Sequence, residues 1–159
     1  MHMHMHRARR PRPSTLLPGP LPPVAVLPHR TCKSTGSCIY TEPELASVGE
    51  TAASGGVEMV EYMVALRGND RAILEGESTD GGFVLLRAEA ATGRVLGGTV
   101  LAARAGEIIN EISLAIKAGL SLESLGRNIH PYPTTSEAVM GCGLQWINAR
   151  WRTMPRREG

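Results

Sequence analysis

The sequence lacks any apolar run approaching the roughly eighteen residues of a membrane-spanning helix, so no span is predicted and the chain is expected to be soluble or peripheral. Excess charge of one sign is also scarce: 17 Lys and Arg nearly balance 15 Asp and Glu, and a net charge of +2 is too slight to argue for nucleic acid as a partner. What charge there is lies unevenly. Residues 1–41 hold Arg7, Arg9, Arg10, Arg12, Arg30 and Lys33 and no acid, so the remainder is net acidic. Cysteine is limited to Cys32, Cys38 and Cys142, an odd number that makes no disulfide framework. With no secretory apolar region beside them, these thiols fit a reducing compartment. Five residues separate Cys32 from Cys38, which is neither a redox Cys-x-x-Cys nor a familiar zinc spacing, and the pair reads as incidental. Cys142, between Gly141 and Gly143, reads as a small buried hydrophobe before it reads as a nucleophile.

Chemical signatures are missing too. There is no Gly-x-Gly-x-x-Gly after a strand, no Walker loop, no zinc quartet and no Gly-x-Ser-x-Gly elbow, so a complete cofactor-dependent enzyme is not expected from these residues. At 159 residues one core is the ceiling. Part of the chain does not look globular: seven of the eleven prolines fall between Pro11 and Pro28, after an alternating His-Met run. Residues 1–38 are predicted to be a disordered or polyproline-like tail. Their Arg-rich, acid-free composition admits a transit peptide, which would place the chain in a plastid or mitochondrion rather than the cytoplasm. The folded domain is expected over residues 39–152, with 153–159 as a tail.

Within that domain, Ala46–Gly49 reads as a short strand and a weak helix is expected over Glu50–Ala53. Val57–Leu66 has mostly period-two apolar residues and reads as a strand, and a helical turn is expected at Arg71–Glu75. Phe83–Ala88 and Arg94–Ala102, joined across Ala91-Thr92-Gly93, make a hairpin. In Gly106–Ala118 the residues Ile108, Ile112, Ala115 and Ile116 form one stripe, with Glu107, Glu111 and Lys117 off it, and Gly119 is placed to end the helix. Ser121 caps a short helix over Leu122–Gly126, and a last helix runs from Ser136 toward Trp151. Strands first and helices later give an α+β class: an antiparallel sheet with helices packed on one side.

Between the last two helices lies His130-Pro131-Tyr132-Pro133-Thr134-Thr135-Ser136-Glu137, which contains the only histidine of the expected folded region. The two prolines fix their own φ and hold His130 and Tyr132 extended, so the loop presents an imidazole, a phenol and a carboxylate from a stiff support. Glu107 and Glu111, one helical turn apart, have no histidine expected to accompany them and read as a solvated or interface-facing edge rather than as metal ligands. No metal site is predicted.

Tyr40-Thr41-Glu42-Pro43-Glu44-Leu45-Ala46-Ser47-Val48-Gly49, Gly81-Gly82-Phe83-Val84, Thr92-Gly93-Arg94-Val95-Leu96-Gly97, Ala105-Gly106-Glu107-Ile108-Ile109-Asn110-Glu111 and the His130–Glu137 run occur in one order. Together they resemble the C-terminal dimerisation domain of the pyridine nucleotide-disulfide oxidoreductases, over roughly residues 39–139. The resemblance implies a flavoenzyme that passes electrons from NAD(P)H through FAD to a cysteine pair and on to a disulfide or metal ion. The domain itself would supply the subunit interface and a loop reaching the partner subunit's active site. By the same resemblance Tyr132 takes the acid-base position usually held by histidine, as in mercuric reductase-like members, and Glu137 takes the place of the glutamate that follows it. His130 matches an additional histidine of lipoamide-dehydrogenase-like members and reads equally as a helper to a nearby thiol or as a structural residue. His130, Pro131, Tyr132 and Pro133 would lie near the partner's FAD. Tyr132, Glu137 and His130 are thus the candidate catalytic residues, and the implied partner is a second copy or a full-length relative. The FAD, nicotinamide and redox-cysteine regions have no counterpart here, so the chain alone is expected to bind neither FAD nor NAD(P)H and to be inactive. A self-associating structural module, or a truncated gene product without activity, is the alternative.

Overall fold

The computed structural model describes residues 35–52, 57–77 and 81–153. Most of the expected tail, the His-Met run, Cys32 and the last six residues lie outside them. The hairpin is the centre of the sheet: β4 (Phe83–Glu89) and β5 (Val95–Ala102) pair antiparallel, with Val84 opposite Val100 and Leu86 opposite Gly98. Alternation puts Val84, Leu86, Ala88, Val100 and Ala102 on one face, and all five are buried. On one side β3 (Met59–Ala65) adds to β4; on the other β2 (Glu44–Gly49) adds to β5, and β1 (Ser37–Ile39) adds to β2. The five strands run in the order β1-β2-β5-β4-β3, every neighbour antiparallel.

Four helices accompany the sheet: α1 (Asp70–Leu74), α2 (Ala105–Ala118), α3 (Leu122–Arg127) and α4 (Glu137–Thr153). The two long ones cover the apolar face, α2 over β2 and β5 and α4 over β3 and β4, while α3 packs on α4. This is the expected α+β arrangement. The apolar stripe of α2 delivers Ile108, Ile112 and Ala115 to the core, joined by Ile109. Ile112 fits because Gly98 lies beneath it: a Cβ at Gly98 would approach Ile112 Cγ2 to 2.8 Å. Gly119 ends the helix in the left-handed region at φ 68°, where its amide reaches Ala115 and Ile116 carbonyls. Ser121 caps α3 by accepting from the Ser124 amide.

The helix expected over Glu50–Ala53 does not form across residues 50–52, and Ala53 lies outside the described residues. Gly49 turns the chain at φ 78° and the Glu50 amide donates to Leu96 O at 2.9 Å. The strand pairing is thereby prolonged at the point where a helix would have to start. On the face away from the helices, Arg87 pairs with Glu61 at 2.8 Å and donates to Thr99 Oγ1 at 3.1 Å.

Candidate functional site

The loop from Asn128 to Ser136 is held at both ends by packed helices. α3 and α4 cross at Gly126 and Gly143, where a Cβ on Gly143 would come within 2.3 Å of the Gly126 amide nitrogen, so the two backbones meet directly. Between these anchors the loop is tied down by its own polar groups and by α1. Thr134 Oγ1 donates to Pro131 O at 2.8 Å, and Asn69 Nδ2 donates to Thr134 O at 3.0 Å. Asn69 has a second task, since its Oδ1 accepts from the Ala72 amide at 3.1 Å and caps α1. The Tyr132–Pro133 peptide is cis, as is Glu42–Pro43.

Tyr132 stands out from this support, 70% exposed, and its hydroxyl donates to the carboxylate of Asp70, the first residue of α1. Hydrogen bonding to Asp70 and the charge of that carboxylate, with lesser contributions from desolvation and Glu137, push the phenol above its usual range and keep it protonated at neutral pH. Glu137 sits in the first turn of α4, where a carboxylate complements the helix dipole. It shares with Asp70, Tyr132, Met140 and Leu144 a groove of about 420 Å³. A second hollow of about 300 Å³, behind Pro133–Ser136, is edged by Arg71 and Arg104, which share Glu75 as a partner.

His130 turns the other way. Its ring is 6% exposed, with Nε2 2.9 Å from Glu111 Oε2 and Nδ1 2.9 Å from Asn128 O; Asn128 Nδ2 donates to the other Glu111 oxygen at 3.1 Å. Both ring partners are acceptors, and a neutral imidazole can donate to only one of them. The loop therefore brings Tyr132 and Glu137 to one groove, leaves Pro131 exposed and Pro133 half-buried beside them, and sends His130 to α2. Glu111, expected to lie on a solvated or interface-facing edge with no histidine beside it, does have one: His130, brought there by the loop that follows α3. Asp70 and Asn69 were not singled out in the sequence at all; the only local signal was the polar Asn69-Asp70 pair before a short helix, the pattern of an N-cap. Replacing Glu111 by alanine, which strands the ring nitrogen, is expected to cost about 2 kcal/mol in urea unfolding, with Glu111→Gln recovering most of it. Equal loss in both variants would contradict this pairing. Among the described residues no three His, Cys, Asp or Glu side chains group as metal ligands, and no helix is long and apolar enough to cross a membrane.

An antiparallel five-stranded sheet under two long helices, with a clamped aromatic loop between α3 and α4, matches a known domain. Residues 35–141 match the family described as the pyridine nucleotide-disulphide oxidoreductase dimerisation domain, and the chain belongs to that family. Human mitochondrial dihydrolipoyl dehydrogenase is 41% identical over 111 residues, which cover 68% of this chain and 21% of that protein. The dihydrolipoyl dehydrogenase of Mycoplasma pneumoniae is 38% identical over 106 residues, 65% of this chain and 23% of the relative. Among solved structures, LpdA from Mycobacterium tuberculosis superposes with a TM-score of 0.66 at 28% identity, covering 72% of this chain and 25% of that one. The chain thus spans about a quarter or less of the length of these relatives.

Proposed function

We propose that the chain serves as the interface domain of a FAD-dependent NAD(P)H:disulfide oxidoreductase of mercuric reductase-like type, joining a second copy or a full-length relative and presenting Tyr132 to the partner's flavin and thiols. The observation that supports this most is the direction of the loop side chains. Tyr132 is exposed on a support braced by Asn69 and Asp70, and Ile129, three residues earlier in the same loop, is 89% exposed, an arrangement suited to contact with another polypeptide. Further apolar side chains, Tyr40, Leu114 and Trp151 among them, are exposed on a domain whose core is already filled.

In this reading FAD would be met only by the loop. Pro131 and Tyr132 offer an exposed surface to a flavin carried by a partner, whereas His130 is committed to Glu111 and Asn128. The wholly antiparallel sheet contains no parallel crossover unit of the kind that cradles a dinucleotide. FAD, where bound by a partner, would supply the electron relay between nicotinamide and thiols. On this side, Tyr132 would contribute a hydrogen bond and Glu137 a fixed negative charge. Sedimentation velocity on the purified chain, alone and mixed with a full-length dihydrolipoyl dehydrogenase, tests this reading. Self-association or entry into the relative's dimer is expected, with no flavin absorbance from the chain alone. A chain that stays monomeric and ignores the relative overturns it.

A further inference from the structure

The phenol of Tyr132 has a partner that lies far from it in sequence and is supplied by a different element. Asn69 and Asp70 follow directly on β3 and a single 3-10 turn at Leu66–Gly68, so their position is set by the sheet. Asn69 grips the loop at Thr134 O and Asp70 grips it at the Tyr132 hydroxyl, one contact on each side of Pro133. Of the side chains lining the groove around the phenol, the titratable ones besides Tyr132 itself are Asp70 from α1 and Glu137 from α4.

We propose that Asp70 is the positioning residue for Tyr132: it takes the phenol's proton as a hydrogen bond and so turns the oxygen lone pairs outward, toward a donor such as a protonated thiol or an N–H of the partner's site. This rests on the reading that the loop faces a partner. The consequence is chemical. A phenol has one proton to give, and here that proton is committed inside the domain, so toward the partner Tyr132 acts as an acceptor. Both neighbouring carboxylates oppose formation of a phenolate, Asp70 more than Glu137. Tyr132 is then an oriented, uncharged contact in a position where a histidine would exchange protons, and its direction depends on Asp70.

The test follows the ionisation of each tyrosine in the full chain by 13C NMR of ring-labelled tyrosine as pH is raised. Tyr132→Phe assigns its signal against those of Tyr40 and Tyr62. In Asp70→Asn the ionisation constant of Tyr132 is expected to rise severalfold, so that it titrates at lower pH, while Tyr40 and Tyr62 are unchanged. In Asp70→Glu the original titration is expected to be largely kept. Asp70 is exposed and α1 retains its Asn69 cap, so the variants are expected to fold; unchanged circular dichroism verifies this. A folded Asp70→Asn chain in which Tyr132 titrates as before overturns the proposal. This readout needs no partner, so it is independent of the sedimentation result: a monomeric chain with a coupled Tyr132 would defeat the interface reading alone.

Discussion

Replacing Gly143 by alanine is expected to lower stability by about 2 kcal/mol or more and the melting temperature by roughly 8 °C. The added methyl would lie 2.3 Å from the Gly126 nitrogen and 2.4 Å from Leu122 O, both backbone atoms of α3 that cannot rotate aside. Overpacking of this kind costs about 3 kcal/mol, and alanine's better helix propensity returns about 1 kcal/mol of it. The only relief is separation of α3 from α4. Since these helices hold the two ends of the Asn128–Ser136 loop, the change should loosen His130 and Tyr132 as well. Gly68→Ala is the control: nothing lies within 4 Å of its Cβ position, so the effect there should stay within about 0.5 kcal/mol. Thermal unfolding of both variants checks the expectation. A Gly143→Ala protein that melts with the parent would mean that the two helices do not meet as described.

The elements most legible in the sequence are those whose cause is local. The β4–β5 hairpin announces itself through two apolar runs around Thr92-Gly93, and α2 through its apolar period together with Gly119. Cys142 is buried as its glycine neighbours and apolar context suggested. What was not legible has causes distant in the chain. The N-terminus of α2 receives an acceptor from Glu44, whose Oε2 takes the Gly106 amide at 3.0 Å although 62 positions separate the two residues. Gly126, Gly143 and Gly98 are ordinary in sequence, and their necessity appears only when a second backbone or Ile112 is brought against them.

The candidate site divides in the same way. The backbone restriction at His130 and Tyr132 is local, imposed by Pro131 and Pro133 on their immediate neighbours. It does not decide which side chain is exposed: Tyr132 is 70% exposed and the His130 ring 6%. The hydrogen-bond partners do not follow from spacing. Glu137 stands five residues beyond Tyr132, yet the phenol binds Asp70, 62 positions earlier, and His130 binds Glu111, 19 positions earlier. A carboxylate near in sequence, Glu137, is available, but α1, following on β3, supplies Asp70 to the phenol. α2, crossing the sheet, delivers a third to the imidazole.

Cys142 carries the strongest expected pH dependence. Its thiol is buried in α4 against the sheet, with Sγ 3.5 Å from Val84 O, and burial pushes its pKa from 9.0 up to about 12. A thiol whose ionisation is suppressed by folding leaves stability untouched below the unfolded value. Above it the unfolded chain gains by ionising while the native chain cannot, so the native state binds more protons and stability falls as pH rises. The loss should begin near pH 9.0 and continue toward about 12. It should approach about 1.4 kcal/mol for each pH unit in that window. Other groups also titrate there, so the informative quantity is the difference between the parent and Cys142→Ala, measured by urea unfolding under reducing conditions. The alanine variant loses the thiol's packing at every pH but has no thiol at this position to ionise. Its deficit relative to the parent should therefore shrink by about 2 kcal/mol between roughly pH 8 and pH 10.5. A deficit that stays constant across that range would show that the thiol ionises as readily in the folded protein as in the unfolded one, and would contradict its burial beneath α4.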